Sequence, residues 1–289
     1  MKIKIALAQI NTKLGRVEEN LVKHLEYIEA AEQQGADLVV FPELSLTGYV
    51  LQDLASTVSI SVSKPSAILK KLQEASQRID ILFGMVEEDL RNRFFISSVY
   101  LSEGEILHRH RKVYLPTYGL FDEGRFFAWG DSIQAFDTRW GRVGMLICED
   151  FWHASPPYLL WLDGADLFFF VSASPGRGMN TEGEVETSYW VDHINQAYAS
   201  LFTSFVVHTN RVGNEDGLHF WGGSSIYDPN GKQLVRAPGS EECLTICELD
   251  LNQLHRTRAR LPLLRDERTA LVQRELNRIV GLGNKTLGR

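Results

Sequence analysis

The stretch GRVGMLICEDFW, residues 141–152, joins an apolar run to a thiol and two acids. The run from Val143 to Ile147 predicts a buried β-strand, because strands covered on both faces are apolar throughout. Cys148 stands at the end of that strand and is followed by Glu149 and Asp150. A thiol becomes a nucleophile where a base or a cation lies beside it. The stretch therefore predicts a strand in a buried sheet. Other segments of the chain have to supply the base or cation beside Cys148 at the end of that strand.

Two further segments carry the partners that this thiol would need. Residues 37–49, DLVVFPELSLTGY, place Glu43 at the end of a second buried strand. Residues 108–127, HRHRKVYLPTYGLFDEGRFF, place Lys112 and Glu123 in a loop that contains proline and glycine. A carboxylate, an ammonium and a thiol at strand and loop ends are what nucleophilic hydrolysis of a carbon–nitrogen bond requires.

Each of these groups has a predicted task in that chemistry. Glu43 would act as the base for the thiol, and Lys112 would supply the cation and stabilise an oxyanion. Glu123 would hold the lysine or position the substrate nitrogen, and the backbone N–H of Glu149 would be a second oxyanion donor. Taken singly, such residues are more typical of a core cysteine, a strand-end acid or a surface lysine. The hypothesis therefore depends on their combination.

The histidines offer weaker alternatives. His108 and His110 precede Lys112, and alternation puts both on one side of what we expect to be an exposed strand. No third ligand follows at a suitable spacing, so no metal site is predicted. His153, five residues after Cys148, is the partner for an alternative cysteine–histidine dyad.

Strands and helices alternate along the chain, with no repeat and no low-complexity segment. This alternation predicts a layered α/β body in which helices cover the sheets. Strands are predicted near residues 2–10, 36–43, 80–89, 94–107, 142–150, 166–174, 204–212 and 243–251, with a hairpin at 224–237. Helices are predicted near residues 18–34, 64–79, 156–165, 185–202 and 265–280.

Composition excludes several classes of protein. The 289 residues carry a formal net charge of −7 with scattered basic residues, so neither a nucleic-acid face nor a polybasic membrane anchor is expected. No apolar run reaches the ~18 residues of a membrane span, and the start, MKIKIALAQI, lacks the features of a signal peptide. Three cysteines without a CxxC pair favour a cytoplasmic protein with free thiols, in which Cys243 and Cys247 are buried apolar fillers.

Three motifs in order carry a family resemblance. They are FPE-x-x-x-x-GY, HRK-x-x-LP-x-Y-x-x-FDE-x-RFF-x-x-G and GR-x-G-x-x-ICED-x-W. This pattern resembles the nitrilase, or carbon–nitrogen hydrolase, superfamily. The resemblance implies a four-layer αββα sandwich and one domain over residues 1–289, with a helix and tail from about residue 261 that takes part in a homodimer or larger assembly. It also implies a triad of Glu43, Lys112 and Cys148 with Glu123 as accessory carboxylate, and neither metal nor organic cofactor.

Within the superfamily, the segments LPTYGLFDEGRFF, ICEDFW and SASP are most similar to those of the glutamine-hydrolysing domain of glutamine-dependent NAD synthetases. That likeness implies substrate contacts at Tyr118, Glu149 and Ser174, with Glu149 meeting an α-ammonium. Trp152 and Ser172 are further candidate contacts, and their alternative interpretation is a packed aromatic and a strand-end serine. Two departures favour a free-standing enzyme: no Gly-rich pyrophosphate loop for ATP is found, so no synthetase domain is expected, and GRGMN stands where the synthetases usually place a Gly-Lys pair.

The function predicted from the sequence is hydrolysis of a small linear amide, or an N-carbamoyl compound, through a cysteine acyl-thioester. One alternative is a glutaminase subunit that supplies ammonia to a separate synthetase. A nitrilase is less favoured, because that branch usually carries Cys-Trp-Glu where this chain has Cys-Glu-Asp. A catalytically silent scaffold is the remaining class. The Gly-rich loop GRGMNTEGEVE, residues 176–186, is predicted either to be mobile or to act as a lid.

Overall fold

The computed structural model describes residues 1–64, 66–179 and 185–286. The strands are β1 (Lys2–Gln9), β2 (Leu38–Val40), β3 (Asp80–Glu88), β4 (Phe94–Ser102), β5 (Glu105–Arg111), β6 (Phe136–Thr138), β7 (Gly141–Ile147), β8 (Leu167–Ser172), β9 (Phe205–Asn210), β10 (Val212–Glu215), β11 (Leu218–Trp221), β12 (Ser225–Tyr227), β13 (Gln233–Arg236) and β14 (Cys243–Asp250). The helices are α1 (Val17–Gln33), α2 (Ala55–Val58), α3 (Ala67–Ala75), α4 (Ser155–Leu162), α5 (Glu186–Leu201), α6 (Asn252–Arg260), α7 (Leu263–Asp266) and α8 (Thr269–Thr286).

These strands form two mixed six-stranded sheets and a separate hairpin. The first sheet has the order β14-β1-β2-β3-β4-β5, and the second has the order β13-β12-β9-β8-β7-β6. Strands β10 and β11 pair with each other as a separate two-stranded hairpin. The parallel neighbours β1-β2-β3 and β7-β8-β9 lie inside the sheets, and antiparallel pairs continue towards both edges. A ligand site is therefore expected at the carboxyl ends of β2, β7 and β8.

Three apolar layers show how the sheets and helices stack. The inner faces of the two sheets meet in a layer that includes Leu7, Met145 and Phe169. The outer face of the first sheet packs under α1 and α3. The outer face of the second sheet packs under α4 and α5, where Phe168 and Phe170 lie. Alternation along β8 sends neighbouring side chains to opposite layers, and the result is the four-layer αββα sandwich that the family resemblance implied.

Most predicted elements are present. Helix α1 follows the helical spacing of its apolar residues, and Gly35 lies just beyond it at φ +73°. The predicted strand at 36–43 is shorter, because it ends at Val40 and Pro42 opens a turn. The hairpin β10–β11 and helix α6 were not predicted. The two strands of the hairpin have only four residues each, and α6 is too polar to show a clear apolar period.

Two expectations about burial were wrong. Cys243 and Cys247 are free and only half-buried, because β14 is an edge strand of the first sheet. The strand β5 was expected to be exposed, yet His110 on it is buried, since its face packs towards the second sheet. Among the described residues, no helix is both long and apolar enough to cross a membrane.

Candidate active site

Glu43 lies in the turn that follows β2. Leu44 takes a left-handed conformation at φ +49°, and the amide of Leu46 donates to the Gly84 carbonyl of β3 at 3.0 Å. The turn buries the Glu43 side chain, which is 1% exposed. Its Oε2 accepts the Ala173 amide at 2.7 Å, from the segment that follows β8. One carboxylate oxygen of Glu43 is thereby fixed to the second sheet.

Lys112 follows β5 and is completely buried. Its Nζ donates to Oε1 of Glu43 at 2.8 Å and to Oε1 of Glu123 at 2.8 Å. Burial lowers the pKa of Lys112, but attraction to Glu123 and Glu43 outweighs burial and leaves this pKa well above its ordinary value. The lysine is therefore charged. An ammonium carries three N–H groups, so these two contacts leave one for a substrate oxygen.

Glu123 opens a short 3₁₀ turn, Glu123–Arg125, and is buried. Besides Lys112, it accepts a hydrogen bond of 2.6 Å from the hydroxyl of Tyr49. Burial raises the pKa of Glu123 to about 7, although the charge of Lys112 opposes that shift. This carboxyl group therefore binds a proton more readily than an exposed glutamate does.

Cys148 follows β7 in a left-handed conformation at φ +47° and is 7% exposed. A non-glycine residue at positive φ is uncommon, and such strain concentrates at functional sites. Burial raises the pKa of the Cys148 thiol well above its ordinary value, and Glu43 raises it further against the opposing charge of Lys112. The resting thiol is therefore protonated, and it needs a base to react.

A cavity of about 220 Å³ borders this cluster. Tyr49 and Glu123 lie on its wall beside the apolar side chains of Phe121, Phe127 and Leu218. Glu123 both lines this cavity and contacts Lys112, whereas Glu43, Lys112 and Cys148 are not among the lining residues.

Tyr118 and Glu149, two of the predicted substrate contacts, lie against each other next to Cys148. Tyr118 is 49% exposed, and its hydroxyl donates to the two carboxylate oxygens of Glu149 at 3.1 and 3.0 Å. His153 stacks on Tyr114, and its Nε2 lies 3.6 Å from Oε1 of Glu149. His153, the alternative dyad partner for Cys148, therefore contacts Glu149, the residue that follows Cys148.

The remaining candidate contacts divide into two groups. The Ser174 hydroxyl accepts the indole N–H of Trp221 at 3.3 Å, just beyond the Ala173 amide that binds Glu43. Ser172 instead lies 3.0 Å from Nε2 of His208 on the outer face of β8. Trp152 packs into the apolar layer under α4 and α5. Strand alternation and the turn after Cys148 thus place Ser172 and Trp152 on the side that faces α4 and α5, and their role as substrate contacts stays a prediction.

The predicted lid can be followed only in part, since residues 180–184 lie outside the described residues. Before that gap, Arg177 is tied to the start of α5. Its amide donates to the Thr187 hydroxyl at 3.1 Å, and that hydroxyl donates to the Arg177 carbonyl at 3.0 Å. The Arg177 guanidinium lies 5.5 Å from the ring centre of Tyr118. Within the described ranges, no group of three or more His, Cys, Asp or Glu side chains is arranged to hold a metal.

Several supporting residues were missed by reasoning from the sequence. Tyr49 belongs to the quoted FPE-x-x-x-x-GY motif, so the signal for it was present. The buried pair Arg211–Glu215, joined at 2.9 Å, supports the same turn. Oε1 of Glu215 accepts the amides of Tyr49 and Val50 at 2.8 and 2.7 Å. The sequence around Arg211 and Glu215 does not predict this role, because the pair supports residues 49 and 50, which are distant in the chain.

Known proteins resemble this chain over most of its length. The family model described as carbon-nitrogen hydrolase matches residues 4–259. A glutamine-dependent NAD(+) synthetase of Thermotoga maritima is 32% identical over 258 residues, which are 87% of this chain and 43% of that protein. This chain thus spans less than half the length of that relative.

Two solved structures show the same architecture. A carbon-nitrogen hydrolase from Helicobacter pylori G27 superposes with a TM-score of 0.84 at 23% identity, covering 96% of this chain and 99% of the other. A mutant amidase of the nitrilase superfamily from Nesterenkonia AN1 superposes with a TM-score of 0.73 at 26% identity, covering 90% and 95% of the two chains.

Proposed function

Because the chain belongs to the carbon–nitrogen hydrolase family, we propose that it hydrolyses a small linear amide, or an N-carbamoyl compound, through an acyl-thioester on Cys148. One observation carries the proposal. A buried, charged Lys112 is held between Glu43 and Glu123, and a buried thiol at positive φ lies within the electrostatic influence of all three groups. Burying three ionisable groups together costs stability, and such clusters are found preferentially at functional sites.

In the acylation step, Glu43 acts as an ionised base and Lys112 as a charged ammonium. Glu43 removes the Sγ proton of Cys148, and the thiolate attacks the amide carbonyl carbon to form a C–S bond. The remaining N–H of Lys112 and the backbone N–H of Glu149 stabilise the oxyanion. As the C–N bond breaks, protonated Glu43 returns its proton to the leaving nitrogen, and ammonia or an amine departs.

The deacylation step repeats the same proton movements with water. Glu43 removes a proton from a water molecule, and the resulting hydroxide attacks the thioester carbonyl. The C–S bond breaks, the sulfur regains the proton from Glu43, and a carboxylic acid is released. Lys112 stabilises both tetrahedral intermediates, while Glu123 and Tyr49 hold its ammonium in place.

An ammonia-release screen tests this proposal. The panel comprises glutamine, asparagine, simple ω-amides, N-carbamoyl amines and nitriles, with Cys148→Ala as the blank. We expect turnover of at least one amide or N-carbamoyl compound, and loss of that turnover in the blank. Retention of full turnover by Cys148→Ala would exclude the thiol as the nucleophile. Turnover of nitriles alone would favour the nitrilase alternative.

A glutaminase that supplies ammonia to a synthetase is a second candidate. The observation in its favour is the hydrogen-bonded pair of Tyr118 and Glu149, since a carboxylate beside the nucleophile suits the ammonium of an amino-acid amide. The relative from Thermotoga maritima, named a glutamine-dependent NAD(+) synthetase, supports it too. Glutaminase activity that appears only after an ATP-binding partner is added would favour this candidate over the free-standing enzyme.

A further inference from the structure

The carboxylate of Asp150 is fully buried and accepts four hydrogen bonds. Its Oδ1 accepts the backbone amides of Val113 and Tyr114, each at 2.9 Å. Its Oδ2 is 2.8 Å from Nε2 of His110 and accepts the Ile147 amide at 3.1 Å. Four donors on one buried carboxylate make a strong and directional anchor.

These four donors come from segments that flank the reacting groups on both sheets. Val113 and Tyr114 directly follow Lys112, and Ile147 directly precedes Cys148. One side chain therefore connects the backbone of the ammonium-bearing segment to the backbone of the thiol-bearing turn. The oxygens of Asp150 are committed to this connection and not to Lys112 itself, whose described partners are Glu43 and Glu123.

His110 completes the anchor from β5, the strand that directly precedes Lys112. Side chains two residues apart on a strand share a face, so His108 and His110 both leave β5 towards the second sheet. His108 stacks on Phe136 at 4.3 Å between ring centres, whereas His110 is 4% exposed and reaches Asp150. His110 contacts Asp150, whereas His108 packs on Phe136, so His108 is a suitable control for substitutions of His110.

We infer that Asp150, held by His110, is a positioning residue that fixes the Lys112 ammonium relative to the Cys148 sulfur. This inference rests on the proposed function, in which Lys112 must meet the oxyanion as it forms on the carbonyl under attack. A displacement of about 1 Å at such a distance from the chemistry can lower a rate about a hundredfold.

Four variants separate positioning from simple structural support. His110→Leu removes the donor to Asp150, and His110→Gln restores an N–H near the position of the imidazole Nε2. Asp150→Asn replaces one acceptor oxygen with a donor. His108→Leu is the control, because it changes the neighbouring histidine on the same face without touching Asp150. Each variant is studied as the full chain, after circular dichroism and thermal melting have shown that it is folded.

Two readouts follow, one with a substrate and one without. With the best amide of the screen, we expect His110→Leu and Asp150→Asn to lower kcat about tenfold to a hundredfold, while KM changes less than about threefold. With iodoacetamide, we expect the pH profile of Cys148 alkylation to move to higher pH, because a displaced Lys112 stabilises the thiolate less. His110→Gln should recover most of both properties, and His108→Leu should resemble the wild type.

The inference is overturned if folded His110→Leu and Asp150→Asn keep the wild-type kcat and alkylation profile and differ only in melting temperature. It is also overturned if His108→Leu is as impaired as His110→Leu. The alkylation readout needs no turnover, so it still tests positioning if the screen finds no substrate and the proposed function fails.

Discussion

Nζ of Lys112 lies 2.8 Å from Oε1 of Glu43, although 69 positions separate the two residues in the chain. Both follow strands of the first sheet, and the second oxygen of Glu43 accepts the Ala173 amide from the second sheet at 2.7 Å. Glu43 thus joins the lysine to the sheet that carries Cys148. The chemistry of the site is therefore built across the interface between the sheets.

Loss of the buried cation should strongly lower activity and weaken the fold. Lys112→Met leaves Glu43 and Glu123 facing each other with no counter-charge. Breaking a buried pair costs about 3–5 kcal/mol, and loss of one oxyanion donor costs about 10²–10³ in kcat. Thermal melting and ammonia release measure the two effects. Lys70→Met, on the exposed face of α3, is the control, and a Lys112→Met enzyme within about threefold of wild-type kcat would contradict the assignment.

The stability of the protein should depend on pH through Glu123. Burial raises its folded-state pKa from 4.5 to about 7, so between these values the folded chain binds a proton more readily than the unfolded chain. The sign follows from linkage: this contribution to stability is present below pH 4.5 and is lost as pH rises to about 7.

Urea unfolding on either side of that window measures the effect. We expect the free energy of unfolding to fall more in the wild type than in Glu123→Gln as pH rises from near 5 to near 8. The exposed Glu18→Gln is the control for general charge effects. Equal pH dependence in wild type and Glu123→Gln would show that Glu123 is not the responsible group.

Gly84 should be required for the position of Glu43. A Cβ at residue 84 would lie 2.3 Å from the Leu44 nitrogen and 2.7 Å from the Pro42 carbonyl oxygen. Since both are backbone atoms, Gly84→Ala has to move the Glu43 turn at a cost of about 1–3 kcal/mol. We expect kcat to fall at least about tenfold in protein that remains folded. Gly281→Ala, which meets nothing within 4 Å, is the control; unchanged kcat in Gly84→Ala would refute the argument.

Tyr118 should govern substrate affinity rather than the chemical step. Tyr118→Phe removes the hydrogen bond to Glu149, and the freed carboxylate is then less well oriented for a substrate ammonium. A hydrogen bond to a charged group contributes about 1.5–3 kcal/mol, so KM for amino-acid amides should rise about tenfold or more, with kcat nearly unchanged. Steady-state kinetics with glutamine and with a simple ω-amide decide the matter. Tyr189→Phe, with similar exposure, is the control, and an equal effect on both substrates would count against a role in ammonium recognition.

The fold was predictable where a local pattern sufficed. The apolar runs of β7 and β8 and the helical period of α1 are visible in the sequence, and the ordered motifs implied the sandwich. The contacts of each site residue were harder to predict from the sequence. Ser172 and Trp152 are examples, because which face of β8 each side chain takes, and how the turn after Cys148 runs, depend on the folded chain.

Long-range polar contacts account for most of what the sequence did not show. Glu215 supports Tyr49 from 166 positions away, and Asp150 joins the two strand ends across 36 and 37 positions. Neither residue has a local spacing that predicts its partner. His110 was expected on an exposed strand for the same reason, since its burial depends on Asp150 and the second sheet.

The central claim, that Cys148 carries the acyl group, is tested most directly by rapid quenching and intact-mass spectrometry. The enzyme is mixed with its best amide, quenched in acid during turnover and digested for peptide mapping. We predict a mass increase equal to the amide minus ammonia, located on the peptide with Cys148 and absent from Cys148→Ala. Turnover without any adduct on Cys148, together with full activity of Cys148→Ala, would contradict the account.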